Sequence, residues 1–570
     1  MASFKSHRLP PLVLATVLVV PLGCRETPAD DDAGSETAED TSGDGDGDTN
    51  PGDGDGDTDP GDGDGDGDGD AGDGDGDPTG DGDGDGDPTG DGDGDGDGDA
   101  QIELELVPQP GVVGVQRINF ALPLPDGAET EDPPQLGVLI GDEAQPLALR
   151  GLSRWPSGAW RSVQIQLDVD VANTELTVDL AGTPAGSLDL VPVEDTLVSP
   201  DATEGPRVWT LIDPAWLSAS RVFGPLDLES DSGDPWADLC DYEAWGLDAF
   251  VDAQASADVW LYDRPTALYR GHARQGDLET LRAAYIEAAM YFAGMTGTGA
   301  GVQIPVPDKQ DDLKYHYTQG LAFHYLMTGD DRVRERVEDV GERLASMWPS
   351  PGYAGGDDFW TERHAGFALL GYVWAEIVSD DQSDEFADLA DEAAAAYAEL
   401  LADDPSGGSA PPPGERCFTH SANAHGEGFG TWGCSPWMSA LLAEGIDVWA
   451  RERDGAVDLD AGDMLISLGR SIALHGLDDG GKPTYWMAFD GPSEIDDYDE
   501  HWGESAYVLA LALWWDHLLN PGSPDPVLAT ATDELTLGTA NFGEIGQLRS
   551  FNWQCRAAPM THALVTEAAP

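Results

Sequence analysis

The apolar residues of this chain change their period partway along it, and that change limits what the chain can fold into. Ile102, Leu104 and Leu106 alternate with acidic residues, and Val163, Ile165, Leu167, Val169 and Val171 keep the same period of two. Residues 118–122 and 136–140 are short apolar runs bounded by Pro, Gly and Asp. Residues 101–205 therefore read as a small β-barrel or sandwich without helix. From about Pro235 onward the period becomes 3.6. Candidate helices cover 245–259, 277–295, 312–327, 330–348, 358–378, 384–401, 435–453, 461–474, 500–519 and 526–539, with shorter ones near Thr266 and Met560. Turns such as Thr328-Gly329-Asp330, where glycine ends one helix and aspartate caps the next, join them as hairpins. About twelve helices of ~10 to 15 residues make six antiparallel pairs. The expectation for residues 206–570 is an (α/α)6 toroid.

The helices are of two kinds. Residues 330–347 and 384–401 carry charged faces suited to an outer layer, whereas 359–374 and 506–515 are apolar nearly all round, as inner helices must be. Four polar clusters precede or open helices: Lys314-Tyr315-His316-Tyr317; Trp360-Thr361-Glu362-Arg363-His364; the segment from Phe418 to Trp432 with His420, His425 and Glu427; and Asp497-Tyr498-Asp499-Glu500-His501-Trp502-Gly503-Glu504. A ring of helices would gather them at one mouth. Asp312, Asp358 and Asp384 read as helix caps. His272, His324, His475 and His517 lie in or beside apolar helical runs and read as packing residues.

Ahead of the β region, residues 1–23 have a basic start at Lys5 and Arg8, an apolar stretch too short to span a bilayer, and a small-residue end at Gly23. They read as a signal peptide of the lipoprotein type, with Cys24 as the acylated residue. Residues 24–100 are dominated by a Gly-Asp tract from Asp44 to Asp99. Charge, glycine and the lack of branched or aromatic side chains leave nothing to offset ordering entropy, so this is read as a disordered spacer. Its alternating aspartates are calcium-type ligands, but they lack the rigid turn and apolar anchor of a calcium loop, so no cofactor is expected.

The chain has 27 Lys+Arg against 110 Asp+Glu, a net charge of -83, and residues 101–570 alone carry -55. A surface this acidic repels nucleic acid and anionic membranes, leaving the lipid anchor as the expected membrane contact. It suits the outer face of a cell envelope or the secreted state. With Cys24 set aside, four cysteines remain, and in an exported protein they are read as two disulfides, Cys240 with Cys555 and Cys417 with Cys434. The first pair would tie the beginning of a closed ring of helices to its end; the second brackets the His420 loop.

Asn119-Phe120-Ala121-Leu122-Pro123-Leu124-Pro125, followed by Arg154-Trp155-Pro156-Ser157-Gly158-Ala159-Trp160-Arg161, resembles the N-terminal RIFT barrel of the exo-acting rhamnogalacturonan lyase-like proteins. The resemblance implies a RIFT barrel followed by an α/α toroid, and activity on acidic polysaccharide. It covers the β region well and the helical region in general layout, and no catalytic residue is carried over from it.

Lyases of uronate polymers remove the proton α to a carboxylate and expel the 4-O sugar. They need a base or acid of matched pKa, a partner for the substrate carboxylate and aromatic walls. Tyr315, His316, His364, His425, Tyr498 and His501 are the candidate proton-transfer groups, and Lys314 and Arg363 the candidate carboxylate partners. Trp360, Trp432 and Trp502 offer stacking faces, with Glu362, Glu427, Asp499 and Glu504 completing the substrate site. Those carboxylates would also serve a glycoside hydrolase, whose pair stands ~5 to 9.5 Å apart. A non-catalytic glycan-binding lipoprotein is the third reading. His420, His425 and Glu427 have ligand chemistry, but their spacing is no known metal signature, so no metal is expected.

The lipoprotein reading is directly testable. Cys24→Ala should leave a slower-migrating precursor and abolish partitioning into the detergent phase; unchanged partitioning would refute the anchor.

Overall fold

The computed structural model describes residues 101–230, 237, 239–347, 361–406, 408–421, 430–453, 459–495, 501–537 and 547–569. The β strands are β1 (Gln101–Pro108), β2 (Val115–Pro123), β3 (Gly137–Ile140), β4 (Glu143–Ala144), β5 (Pro146–Arg154), β6 (Trp160–Asp170), β7 (Glu175–Asp179), β8 (Gly186–Ser187) and β9 (Val208–Ile212). They build one sheet in the order β4-β3-β7-β1-β9 and another in the order β2-β6-β5-β8. Alternation works as the period of two requires: Ile102, Leu104 and Leu106 are buried while Glu103 and Glu105 face out. β9 lies opposite β1, with Leu104 paired to Ile212, so the β region runs past the boundary expected at 205. A short 3-10 turn at Val193–Thr196 also interrupts a region expected to hold no helix.

The helices are α1 (Pro214–Ser220), α2 (Leu247–Ala253), α3 (Arg264–Gln275), α4 (Leu278–Gly294), α5 (Gln319–Thr328), α6 (Asp331–Met347), α7 (Glu362–Val378), α8 (Ser383–Ala402), α9 (Ser439–Arg451), α10 (Leu459–His475), α11 (Trp502–Leu519), α12 (Pro526–Leu537), α13 (Leu548–Ala557) and α14 (Thr561–Ala568). The helix expected over 312–327 is split: Asp312 caps a 3-10 turn at Leu313–Tyr315, and α5 starts only at Gln319. Asp384 lies within the first turn of α8 rather than at its cap, and Asp358 is outside the described residues. The helical region also contains a sheet that the period did not foretell: β10 (His420–Ser421), β11 (Trp432–Cys434), β12 (Thr484–Ala488) and β13 (Glu494–Ile495), in that order.

α3, α5, α7, α9, α11 and α13 pack each on the next, and α13 packs on α3. Each of the first five also packs on the helix that follows it in the chain. All ten residues of α5 are buried. By contrast α6 buries one stripe, Val333, Val337, Val340 and Leu344, and turns most of its charges outward, Glu338 being buried. The approach of α7 to α9 is close enough that a Cβ on Gly366 would stand 2.6 Å from the backbone of Leu441, so only glycine fits there.

The second sheet sits across the C-terminal ends of these helices. β6 is buried on both faces from Arg161 to Leu167: Val163, Ile165 and Leu167 join the core, while Ser162, Gln164 and Gln166 are buried on the other. Ser162 donates to the Leu326 carbonyl at 2.6 Å and Asn119 to that of Thr328 at 2.8 Å, satisfying the open end of α5. Ser153 donates to Ile377 near the end of α7 at 2.6 Å, and Arg161 binds Glu452 just beyond α9 at 2.7 Å. The N-terminal ends of α5, α7 and α9 thus lie away from the sheet. Disulfides join Cys240 to Cys555 and Cys417 to Cys434.

Replacing Cys417 and Cys434 together by serine should lower the unfolding free energy by about 3 kcal/mol, the loop-closure entropy of so short a loop, in denaturant titrations. An unchanged midpoint would show that the bridge adds nothing.

His324 in α5 supplies a pH test. It is fully buried, bonded through Nδ1 to the Tyr269 hydroxyl at 2.8 Å, and burial holds its pKa down to about 4. The unfolded imidazole titrates near its ordinary 6.5, so between pH 6.5 and 4 the unfolded chain binds more protons and this group's contribution is lost as pH falls. Relative to His324→Gln, the parent should lose about 3 kcal/mol of stability between pH 7 and pH 4. A difference that does not vary with pH would contradict a buried neutral imidazole.

Candidate functional site

The N-terminal ends of the six helices that pack in succession bring a set of aromatic and charged side chains together. Tyr262 precedes α3, Tyr317 precedes α5, Arg363 is in the first turn of α7, Trp437 precedes α9, His501 precedes α11, and Arg549 and Trp553 lie on α13. Tyr485 reaches the same place from β12. His501 stacks on Trp437 with ring centroids 3.9 Å apart and planes 10° apart, and lies 5.0 Å from Trp553 and 5.8 Å from Tyr485. Its Nδ1 is 3.6 Å from Oε1 of the buried Glu504. The guanidinium of Arg363 stands 5.6 Å from the Trp437 ring, and that of Arg549 5.7 Å from the Trp553 ring.

Tyr262 is held in this group by strained backbone. Tyr262 and Asp263 have φ of 76° and 51°, a conformation costing about 1 to 3 kcal/mol per non-glycine residue and kept only where the surroundings enforce it. They do so here. The buried Asp263 carboxylate accepts from the Gly320 N–H at 2.9 Å and the Thr266 hydroxyl at 2.8 Å, and the Tyr262 N–H donates to the Tyr317 hydroxyl at 3.0 Å. The strain sets the Tyr262 ring among Phe367, Trp437 and Trp553, at 5.5, 6.1 and 5.9 Å. Burial pushes the Tyr262 phenol above its ordinary pKa, against the pull of Arg363 and with the push of Glu504. The phenol therefore stays protonated at neutral pH.

Glu362 anchors the start of α7. It is fully buried, accepts from the Ser435 N–H at 2.7 Å and meets His420 Nε2 at 2.8 Å, while the His420 ring stands edge-on to Trp486 at 5.0 Å. The small sheet thereby fixes the helix turn that carries Arg363.

Of the residues expected to form the site, Arg363, His501 and Glu504 come together. Lys314, Tyr315 and His316 are engaged elsewhere: Lys314 pairs with Asp312 at 3.7 Å, and Tyr315 lies under Lys309. His316 bonds through Nδ1 to the Asp312 carbonyl at 3.0 Å, and burial lowers its pKa to about 4. A neutral imidazole of that kind is a poor base. His364 is buried and bonds through Nδ1 to the Thr361 hydroxyl of its own turn at 2.6 Å. Glu362 serves His420 and Ser435, Trp502 is buried, and Trp432 is half-buried in β11. Cys24, Trp360, His425, Glu427, Tyr498 and Asp499 lie outside the described residues. Sequence reading named Tyr317 in a polar cluster without giving it a role, and missed Tyr262, Trp437, Tyr485, Arg549 and Trp553. Among these, Tyr317 and Trp437 had a signal, since each immediately precedes an apolar helix.

Among the described residues, one trio of acids, Glu338, Asp380 and Asp381, brings ligand oxygens close enough to hold a metal ion. Arg334 lies 2.5 Å from Asp380 and 3.9 Å from Glu338, so positive charge is already supplied there. No helix among the described residues is long and apolar enough to cross a membrane.

No protein-family model matches this chain, and a search of curated proteins finds no match either.

Proposed function

We propose that this protein is an envelope-tethered or secreted polysaccharide lyase that cleaves uronate-containing chains by β-elimination, at the open mouth of an α/α toroid that follows a RIFT-like barrel. The succession of six helices that returns on itself supports the toroid. The signal-like start and Cys24 support the tether, and the resemblance of the Asn119–Pro125 and Arg154–Arg161 segments to the rhamnogalacturonan lyase-like proteins supports the barrel.

The observation that carries the chemical reading is His501 stacked on Trp437 with Arg363 beside the same ring. Elimination requires a base to take the proton α to the carboxylate, formation of the C4=C5 bond, cleavage of the C4–O bond and a proton for the departing oxygen. His501 is the base in this reading, oriented by Trp437 and Glu504. Arg363 binds the substrate carboxylate and offsets the charge that builds on it, with the N-terminal end of α7 adding positive potential. Tyr262, held as a protonated phenol, supplies the proton to the leaving oxygen. Trp553, Tyr485 and Trp437 line the sugar path. Hydrolysis is the weaker reading, because Glu362 is committed to His420 and the Ser435 N–H.

Incubation with pectic, alginate and glycosaminoglycan polymers should give the ultraviolet absorbance of an unsaturated uronate on at least one of them. New reducing ends without that absorbance would mean hydrolysis, and binding without either would mean a glycan-binding module. On the cleaved polymer, His501→Ala, Arg363→Ala and Tyr262→Phe should each lower turnover by about two orders of magnitude or more with the fold intact. Tyr262→Phe keeps the ring and removes only the hydroxyl; full activity in that variant would displace Tyr262 as the acid.

A further inference from the structure

Two arginines of the site group stand where helix electrostatics disfavour them. Arg363 is the second residue of α7 and Arg549 the second residue of α13. The first turn of a helix carries the positive end of its dipole, which favours an anion there and works against a cation. A guanidinium in that turn adds to the potential, so the place suits an anion. The first turn of α13 holds no acidic residue, and the acid in the first turn of α7, Glu362, is engaged by His420 and the Ser435 N–H. Both arginines are half-buried and keep accessible surface.

The two cations share one set of rings. Arg363 stands 5.6 Å from Trp437 and Arg549 5.7 Å from Trp553. Those indoles are 5.9 Å apart, and His501 contacts both, at 3.9 and 5.0 Å. Each guanidinium is therefore one indole away from His501. An arginine has five N–H donors in a planar fork, so a partner within the protein does not prevent it from meeting a carboxylate of a ligand.

We propose that the site takes two carboxylates from neighbouring sugar rings, Arg363 that of the uronate undergoing elimination and Arg549 that of the next uronate, so that the substrate is a chain of consecutive uronates. The part given to Arg363 rests on the lyase reading; Arg549 is added to it as the residue that sets specificity. Where each uronate is followed by a neutral sugar, the neighbouring ring brings no carboxylate and Arg549 contributes nothing to binding. A second charge-assisted pair should change affinity by about tenfold.

Calorimetric titration of the full chain with disaccharides tests this separately from turnover. Digalacturonate and dimannuronate carry two carboxylates; galacturonosyl-rhamnose and the glucuronosyl-N-acetylglucosamine unit of hyaluronan carry one. At least one diuronate should bind about tenfold more tightly than either single-uronate disaccharide. Arg549→Gln should cut that preference to about threefold or less, and Arg363→Gln should weaken binding of both kinds. Arg549→Lys, which keeps the charge and loses the fork, should leave an intermediate preference, and it keeps the test decisive if Arg549→Gln does not fold. Equal affinity for the two kinds, no binding of any of the four, or a preference unmoved by the Arg549 variants would overturn the inference. Ultraviolet absorbance separates it from the reading beneath it. Preference for a diuronate without absorbance from any polymer would refute the lyase and leave the two-carboxylate site. Absorbance from rhamnogalacturonan or hyaluronan that develops as fast as from polygalacturonate and polymannuronate would keep the lyase and overturn the consecutive-uronate substrate.

Discussion

The helical region is organised about one buried carboxylate. Glu444, in the middle of α9, accepts from Arg270 of α3 at 2.5 Å, Gln319 of α5 at 2.8 Å and Arg556 of α13 at 2.6 Å, and Arg556 also donates to Gln319. Burial alone would raise its pKa, but the two guanidiniums hold it down to about 2. Removing one partner from such a group strands a charge in the interior, at a cost of about 3 to 5 kcal/mol. The network therefore fixes the relative register of four helices, three of which are preceded by Tyr262, Tyr317 and Trp437 and the fourth of which carries Trp553 at its middle. A nonspecific apolar core would let those helices slide or rotate; a carboxylate with three directional donors does not.

That register is what makes the strain at Tyr262 and Asp263 sustainable. Asp263 is tied to the Gly320 N–H on α5 and to Thr266 on α3, so the left-handed backbone is held by two of the helices that Glu444 joins. The second sheet bears on α5 from the opposite side, through Ser162 and Asn119, and on the neighbouring α7 through Ser153. Polar side chains of β6 occupy what would otherwise be an exposed sheet face. They close helix ends instead of meeting solvent, which explains a strand buried on both faces within an antiparallel sheet.

The longer elements were legible because they span several periods: α6 and α8 announce themselves by one apolar stripe, and β1 and β6 by alternation. The small sheet was not, because β10, β11 and β13 have two or three residues each and cannot display a period. β9 was missed for a related reason, since Thr210 sits in the alternation between Val208 and Ile212 and weakens it. In the site, Arg363, His501 and Glu504 were visible as charges beside apolar helices. Tyr262 was not, because its signal is a backbone conformation that glycine usually marks and here no glycine does. The His316 cluster was over-read: a histidine directly after a 3-10 turn bonds to the carbonyl of Asp312, and nothing in its residue type separates that role from a base.

The charge distribution gives the proposed substrate site its character. A region carrying -55 repels a polyuronate at distances where solvent does not screen it, with a Debye length of about 10 Å at 0.1 M salt. Attraction must then be local. Most arginines of the described residues are spent on carboxylates, as Arg264 is on Glu287 and Arg453 on Glu376. Arg363 and Arg549 lie beside the indoles of Trp437 and Trp553. An indole face strengthens a guanidinium's hold on its position without cancelling its charge, as a carboxylate would. On the proposed reading, the rings that stand beside these guanidiniums also line the sugar path.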